Sequence, residues 1–208
     1  MTESTLGPLT GHPVVPVLVI DDAEAAGDVA GALQEGGIAC AEVTLRTAAA
    51  IAAIRHMADV PGFLVGAGTV LSEEQVEMVA DAGARFVVSP GLDEGVVERA
   101  RVLGLGVLPG AATATEIMRA QKLGIDTVKF FPADVLGGRA AIRSLAGPFP
   151  TIGFVPSGGV TADNAAAYLA EANVAAVSGS WMAPRQLIAD RDLATITRLS
   201  ARSPRGGI

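Results

Sequence analysis

Short apolar segments recur along the chain at intervals of roughly 20–26 residues, each followed by a stretch with apolar positions at helical spacing. The segments are Val14–Ile20, Ile38–Val43, Phe63–Gly68, Arg85–Ser89, Gly106–Pro109, Asp126–Phe131, Ile152–Pro156 and Val174–Ser178. Ala-rich runs such as Ala23–Gln34 and Ala48–Met57 lie between them. Several of the segments are continuous apolar runs rather than clean alternations, as expected for parallel strands buried on both faces. The punctuation agrees with this division. Ser72-Glu73-Glu74-Gln75 and Thr113-Ala114-Thr115-Glu116 have the form of capping boxes that open helices. Asp163 and Thr161 offer caps after the Gly158-Gly159 turn. Gly36-Gly37, Gly83, Gly104 and Gly124 stand where helices end before strands.

Eight strand–helix units in 208 residues predict a single α/β domain, a (β/α)8 TIM barrel. An open doubly wound sheet is the rival, because periodicity alone does not show closure. No linker or second domain is visible. The folded core is expected over about residues 13–200, with loose tails at Met1–His12 and Ser203–Ile208.

Composition narrows the function. Half the residues are hydrophobic and 18% are charged, which argues against disorder. A net charge of −7 argues against nucleic acid as a partner, although local donors can still bind a small anion. The polar start lacks a secretory h-region, and no apolar run reaches the ~20 residues of a membrane span. The single cysteine, Cys40, excludes an internal disulfide and fits a reducing compartment. The expectation is a soluble cytoplasmic protein without a membrane partner. His12 and His56 have no companions at metal-ligand spacing, so no metal or cofactor is expected. Trp181 is read as a packing residue.

Of the fifteen basic residues only Lys122 and Lys129 are lysines. Arginine therefore serves nearly everywhere that positive charge alone is needed. Lys122 stands near a helix end, where a cation is favoured. Lys129 instead lies within the apolar strand Thr127–Phe131. A buried amine is costly as an ammonium ion and nucleophilic when neutral, whereas a guanidinium cannot form a Schiff base. The plainer alternative is a packed lysine stem with its head in water.

In a parallel barrel, chemistry collects at the C-terminal ends of the strands. Period-two alternation places Glu42 on the face of Cys40, and Lys129 on the face of Thr127 and Phe131. If both faces point inward, strands two and six bring Lys129 and Glu42 together as an amine nucleophile and a proton shuttle. A structural ion pair is the alternative. Arg46, just past strand two, has the geometry to clamp a carboxylate. Thr69 offers a hydroxyl beside Gly66 and Gly68, which are read as leaving room for a ligand. Gly66-Ala67-Gly68 is not a dinucleotide fingerprint, because Leu71 replaces the third glycine. Ser157-Gly158-Gly159 and Gly179-Ser180 follow strands seven and eight, the usual phosphate position of such barrels, with helix N-termini expected to follow.

Together Glu42-Val-Thr-Leu-Arg46, Val65-Gly-Ala-Gly-Thr-Val70, Ser89-Pro-Gly91, Lys129-Phe-Phe-Pro-Ala133, Gly147-Pro-Phe149 and Ser157-Gly-Gly159 resemble the motifs of the KHG/KDPG aldolases. The resemblance runs from Pro13 to about Leu199. It implies a metal-independent class I aldolase on a (β/α)8 barrel, usually a homotrimer, acting on a small phosphorylated keto acid. Lys129 would be the Schiff-base lysine and Glu42 the general acid/base. Arg46, Thr69, Pro90 and Phe131 would form the pyruvyl pocket. Ser157, Gly158, Gly159, Gly179 and Ser180 would take the phosphate. Phe130 and Phe131 would wall in the amine. Ser157 stands where threonine is common, Ser178 where some relatives have glycine, and Val19-Ile20-Asp21 where some have an arginine.

The implied reaction is cleavage of 2-keto-3-deoxy-6-phosphogluconate, with 4-hydroxy-2-oxoglutarate as a related substrate. An aldolase for the 6-phosphogalactonate epimer and a non-catalytic barrel that binds a sugar phosphate are the alternatives.

Overall fold

The computed structural model describes residues 5–204. Its eight strands are β1 (Val14–Leu18), β2 (Cys40–Thr44), β3 (Leu64–Gly68), β4 (Phe86–Val88), β5 (Gly106–Leu108), β6 (Thr127–Phe130), β7 (Gly153–Pro156) and β8 (Val177–Gly179). Six pair in the order β5-β4-β3-β2-β1-β8, and β6 pairs with β7, all in parallel. Bridges Gly110↔Lys129 and Ser157↔Ser178 join the two sets at both seams. The sheet is therefore closed into a barrel, and the open doubly wound alternative falls. The strands are shorter than the apolar segments that announce them, because the curved barrel pairs only part of each segment.

Between the strands run α1 (Ala26–Glu35), α2 (Ala50–Ala58), α3 (Glu73–Asp81), α4 (Glu94–Val102), α5 (Ala114–Lys122), α6 (Gly138–Ala146) and α7 (Ala165–Leu169). Two helices, α8 (Arg185–Ala189) and α9 (Leu193–Ala201), follow β8. The glycine stops behave as the sequence suggests. Gly37, Gly83, Gly104 and Gly124 take φ values of 88°, 94°, 70° and 70°, the left-handed turn that ends a helix at little cost to glycine.

The helix starts agree less uniformly. Thr113 and Glu116 form a complete reciprocal box. At α3, Ser72 accepts from the Gln75 N–H, but Gln75 Oε1 turns back to the Leu71 N–H, so that box is only half made. The caps expected from Thr161 and Asp163 are not formed. Asn164 occupies that position and its amide ties together Thr161 N and Gly159 O, bracing the turn rather than the helix.

The N-terminal segment is also less loose than expected. Leu6 and Leu9 are buried, and Thr5 Oγ1 donates to Asp126 Oδ1 at 2.6 Å beneath β6. At the other end Ser203 is buried and accepts from Trp181 Nε1 at 3.2 Å. Residues 1–4 and 205–208, included in the tails expected to be loose, lie outside the described residues. Among the described residues no helix is long and apolar enough to cross a membrane.

Register fixes which side chains meet inside the barrel. Glu42 pairs with Val17 on β1, and Val15 on the same face pairs with Ser178 on β8. An eight-stranded barrel of this type gains one residue of height per strand, and alternate strands fill one layer. Counting from Glu42, the layer contains Val88 of β4, Lys129 of β6 and Ser178 of β8. The contact between Glu42 and Lys129 agrees with that count.

Candidate active site

Lys129 Nζ lies 3.1 Å from Glu42 Oε1, joining residues 87 apart in sequence. The side chains lie at the C-terminal end of the barrel, with Lys129 7% and Glu42 1% exposed. The predicted inward faces of β2 and β6 thus do converge. Glu42 Oε2 is buried without a hydrogen-bond partner among the described residues. Removing two charges from water costs several kcal/mol per ion, on the order of what a close pair returns. An ion pair that leaves a carboxylate oxygen unsatisfied is therefore a poor device for stability.

The surroundings explain the glycines differently from the sequence. Gly66 and Gly68 do not leave an open cleft. A Cβ on Gly66 would lie 2.4 Å from the Phe86 ring, and one on Gly68 would lie 3.0 Å from Glu42 Oε1. The missing side chains admit the protein's own groups, and Gly68 is the space in which the carboxylate sits. Thr69, immediately beyond, has φ of +60°, unusual for a β-branched residue. Such a conformation costs on the order of 1–3 kcal/mol and is typical of functional loops. It sets the half-buried Thr69 at the end of β3, above the layer of the pair.

Phe130 and Phe131 have separate roles. Phe130 points away from the barrel axis and meets Phe154 edge-on, with ring centroids 6.3 Å apart. It is not a wall of the amine. Phe131 is 41% exposed, and its ring centroid lies 5.6 Å from Lys129 Nζ. One aromatic face therefore borders the amine, and it opens to solvent, where a ligand would enter. The Phe131–Pro132 peptide is cis. Arg46 is on the exposed rim after β2, and its guanidinium makes no ion pair among the described residues. Pro90 is exposed after β4, and its carbonyl would lie 2.1 Å from a Cβ on Gly110, so the β4 and β5 turns touch.

Ser157 is buried at the seam with β8, Gly179 is buried and Ser180 is exposed. Gly158 and Gly159 have φ of 85° and 84°. A Cβ on Gly159 would lie 2.2 Å from Asp134 Cβ, so turn geometry and packing alone already call for glycine there. The backbone N–H groups of Gly158 and Gly159 make no hydrogen bond to another described residue. The helix N-termini expected beside these turns are displaced. Helix α7 begins only at Ala165 and α8 at Arg185, each a five-residue helix. Any anion there would rely on loop N–H groups rather than on a helix dipole.

Ser178 is the residue whose placement the sequence left unread. It faces inward in the ring of Glu42 and Lys129, is 1% exposed, and its hydroxyl has no partner among the described residues. Its only sequence signal was a polar residue on the inward parity of β8. Cys40 is buried on the Glu42 face of β2, where loss of hydration pushes its thiol up to about 12, so it is no nucleophile at neutral pH. Clefts lined by His12, Gly37 and Ser200, and by Pro8, Arg101 and Gly106, lie at the opposite end of the barrel and contain none of the candidate residues. No group of three or more His, Cys, Asp or Glu side chains among the described residues is placed to hold a metal ion.

A closed parallel barrel carrying a buried lysine and carboxylate at the C-terminal ends of its strands is an arrangement suited to Schiff-base chemistry. Relatives narrow the class. Residues 7–199 match the family model for KDPG and KHG aldolases. The 2-dehydro-3-deoxy-phosphogluconate aldolase of Treponema pallidum (strain Nichols) is 49% identical over 91% of this chain and 91% of its own. The 2-keto-3-deoxy-6-phosphogluconate aldolase of Zymomonas mobilis ZM4, solved with 3-phosphoglycerate, superposes with a TM-score of 0.93 at 39% identity, over 100% of this chain and 98% of that one. The Legionella pneumophila KDPG aldolase, solved with pyruvate as a covalent carbinolamine, gives 0.91 at 37% identity, over 97% and 98%. The chain belongs to the KDPG and KHG aldolase family, and it is a carbon–carbon lyase.

Proposed function

We propose that this aldolase cleaves 2-keto-3-deoxy-6-phosphogluconate to pyruvate and glyceraldehyde 3-phosphate, with Lys129 as the nucleophile and Glu42 as the acid/base. The contact of 3.1 Å between Nζ and Oε1 in a buried layer carries the reading. The free amine of Lys129 attacks the C2 ketone to give a carbinolamine, and loss of water gives an iminium. Glu42 takes the proton of the C4 hydroxyl as the C3–C4 bond breaks. The bonding pair moves into the iminium, leaving an enamine on Lys129, while C4 departs as the aldehyde of glyceraldehyde 3-phosphate. Protonation at C3 and hydrolysis release pyruvate. The iminium is the electron sink, so the scheme needs no cofactor or metal, and activity is expected to withstand EDTA.

Arg46 and Thr69 hold the pyruvyl carboxylate in this scheme, with Pro90 and Phe131 bordering it. Ser157, the loop N–H groups of Gly158 and Gly159, and Gly179 and Ser180 take the phosphate. The carbinolamine in the Legionella enzyme and the 3-phosphoglycerate in the Zymomonas structure support the two halves of this assignment. Since only the pyruvyl half meets the lysine, 4-hydroxy-2-oxoglutarate is a second substrate in this reading. The C4 configuration is read by pocket shape, and relative turnover of the 6-phosphogalactonate epimer tests it.

We further propose that the enzyme is a cytoplasmic homotrimer. Exposed apolar side chains on neighbouring helices, Met78, Val102, Leu103 and Met118, are consistent with an assembly. Sedimentation equilibrium tests the trimer. Borohydride reduction with pyruvate, followed by peptide mass mapping, tests the chemistry. The expected result is an adduct on Lys129; an adduct on Lys122, or none, would overturn the mechanism.

A further inference from the structure

Two polar atoms in the layer of the pair lack partners among the described residues, Glu42 Oε2 and Ser178 Oγ. Each belongs to a side chain that is 1% exposed. Ser178 stands between Lys129 and Glu42 around the ring, because β8 lies one strand beyond β1 on one side and β7 on the other. A buried hydroxyl without a partner costs on the order of 1–3 kcal/mol, and alanine would fill nearly the same space without that cost. Buried polar groups of this kind are usually reconciled by an ordered water with two to four partners.

Resting on the proposed lysine chemistry, we propose that Ser178 is a positioning residue for Glu42: its hydroxyl and Glu42 Oε2 hold one water between them. That hydrogen bond orients the carboxylate so that Oε1 faces Nζ and whatever is bonded to it. Among the described residues that register or contact sets against Glu42, Lys129 alone is charged. β1 contributes Val17, β3 Gly66 in register and Gly68 against Oε1, and β6 the Lys129 nitrogen. The step affected is proton transfer at C3. Glu42 removes a methyl proton from the pyruvate iminium, the C–H pair becomes the C2=C3 bond, and the C=N pair moves to nitrogen; the reverse returns the proton.

Exchange of pyruvate methyl protons with deuterated water, followed by proton NMR, isolates that step from aldol cleavage. Ser178→Ala is expected to slow exchange about tenfold, the worth of a hydrogen bond to a charged group. The pyruvate concentration that half-saturates borohydride labelling of Lys129 is expected to be unchanged. Ser178→Thr, which restores a hydroxyl, is expected to recover most of the rate. An alanine variant that exchanges at the wild-type rate would overturn the proposal. So would equal slowing by alanine and threonine, or a rise in the half-saturating concentration with no change in maximal rate, since each points to packing. A wild-type protein that neither labels nor exchanges would instead sink the lysine chemistry itself.

Discussion

The two ends of the barrel are built on opposite terms. At the N-terminal end of the strands, Asp126 and Asn173 are paired with groups distant in sequence, and glycines serve backbone turns. Asp126 binds Thr5, Asn173 donates to the carbonyls of Pro150 and Ile152, and Gly37, Gly83, Gly104 and Gly124 end helices. At the C-terminal end, a carboxylate oxygen and a hydroxyl are buried without partners, Thr69 holds a positive φ, and an aromatic ring faces solvent. The first end pairs the polar groups just named and leaves one buried hydroxyl, Ser200 Oγ where α9 meets α1, without a partner among the described residues. The second tolerates strain and unsatisfied atoms, which persist only where the surrounding structure enforces them. The same sheet supports both because its strand directions are all alike, so every loop that follows a strand opens on one side.

The contrast predicts that mutations at the two ends separate activity from stability. The largest effect is expected for Lys129→Arg, which keeps a positive charge but cannot form an imine. Steady-state turnover should fall by about a thousandfold or more while the fold survives. Substantial remaining activity would erase the functional end of the comparison.

At the other end, Gly36→Ala would place a Cβ 2.3 Å from Ser200 Cβ, where α1 crosses α9. Urea denaturation should show a loss of roughly 1–3 kcal/mol from overpacking, with kcat of the folded protein unchanged. A fall in kcat would mean that the two ends are coupled.

A smaller loss, about 1 kcal/mol, is expected for Thr113→Ala, which removes the α5 cap. Glu116 in the same box carries a pH signature. Burial alone would raise its pKa, but hydrogen bonds from Ala112 and Thr113, aided by Arg119, hold it below the ordinary carboxylate value. Its folded pKa is thus depressed, so its contribution is complete above the unfolded pKa and fades as pH falls through the folded one. The stability difference between wild type and Glu116→Gln should shrink over that acidic window, as acid titration of urea midpoints would show.

The smallest signal is a silence. With its thiol pushed up to about 12 by burial, Cys40 should not react with a thiol reagent at pH 8 until the protein unfolds. Reaction in the native protein would show that the inward face of β2 opens to solvent.

How much of this was legible differs by residue. The helix stops at Gly37, Gly83, Gly104 and Gly124 were readable because positive φ is a local demand met by a local residue. The cap at α7 is not legible in the sequence, because Thr161, Asp163 and Asn164 all suit a cap and contact with Gly159 decides among them. Phe130 and Phe131 look alike as flanking aromatics, but a strand sends them to opposite faces, and only Phe131 shares the parity of Lys129. Gly66 and Gly68 look like ligand space in the sequence, which does not show that Phe86 and Glu42 fill it.

The sequence by itself determined the eight alternating units, their local stops, and the presence of one lysine in a strand where arginine serves elsewhere. Those are local matters of periodicity, φ and side-chain chemistry. Tertiary structure decided what Lys129 meets. Bringing it to Glu42 across 87 residues, and setting Ser178 at their height, depends on closure and on the rise per strand. Parity gives a side chain its face, but only the closed register gives it a level, and proton transfer requires both.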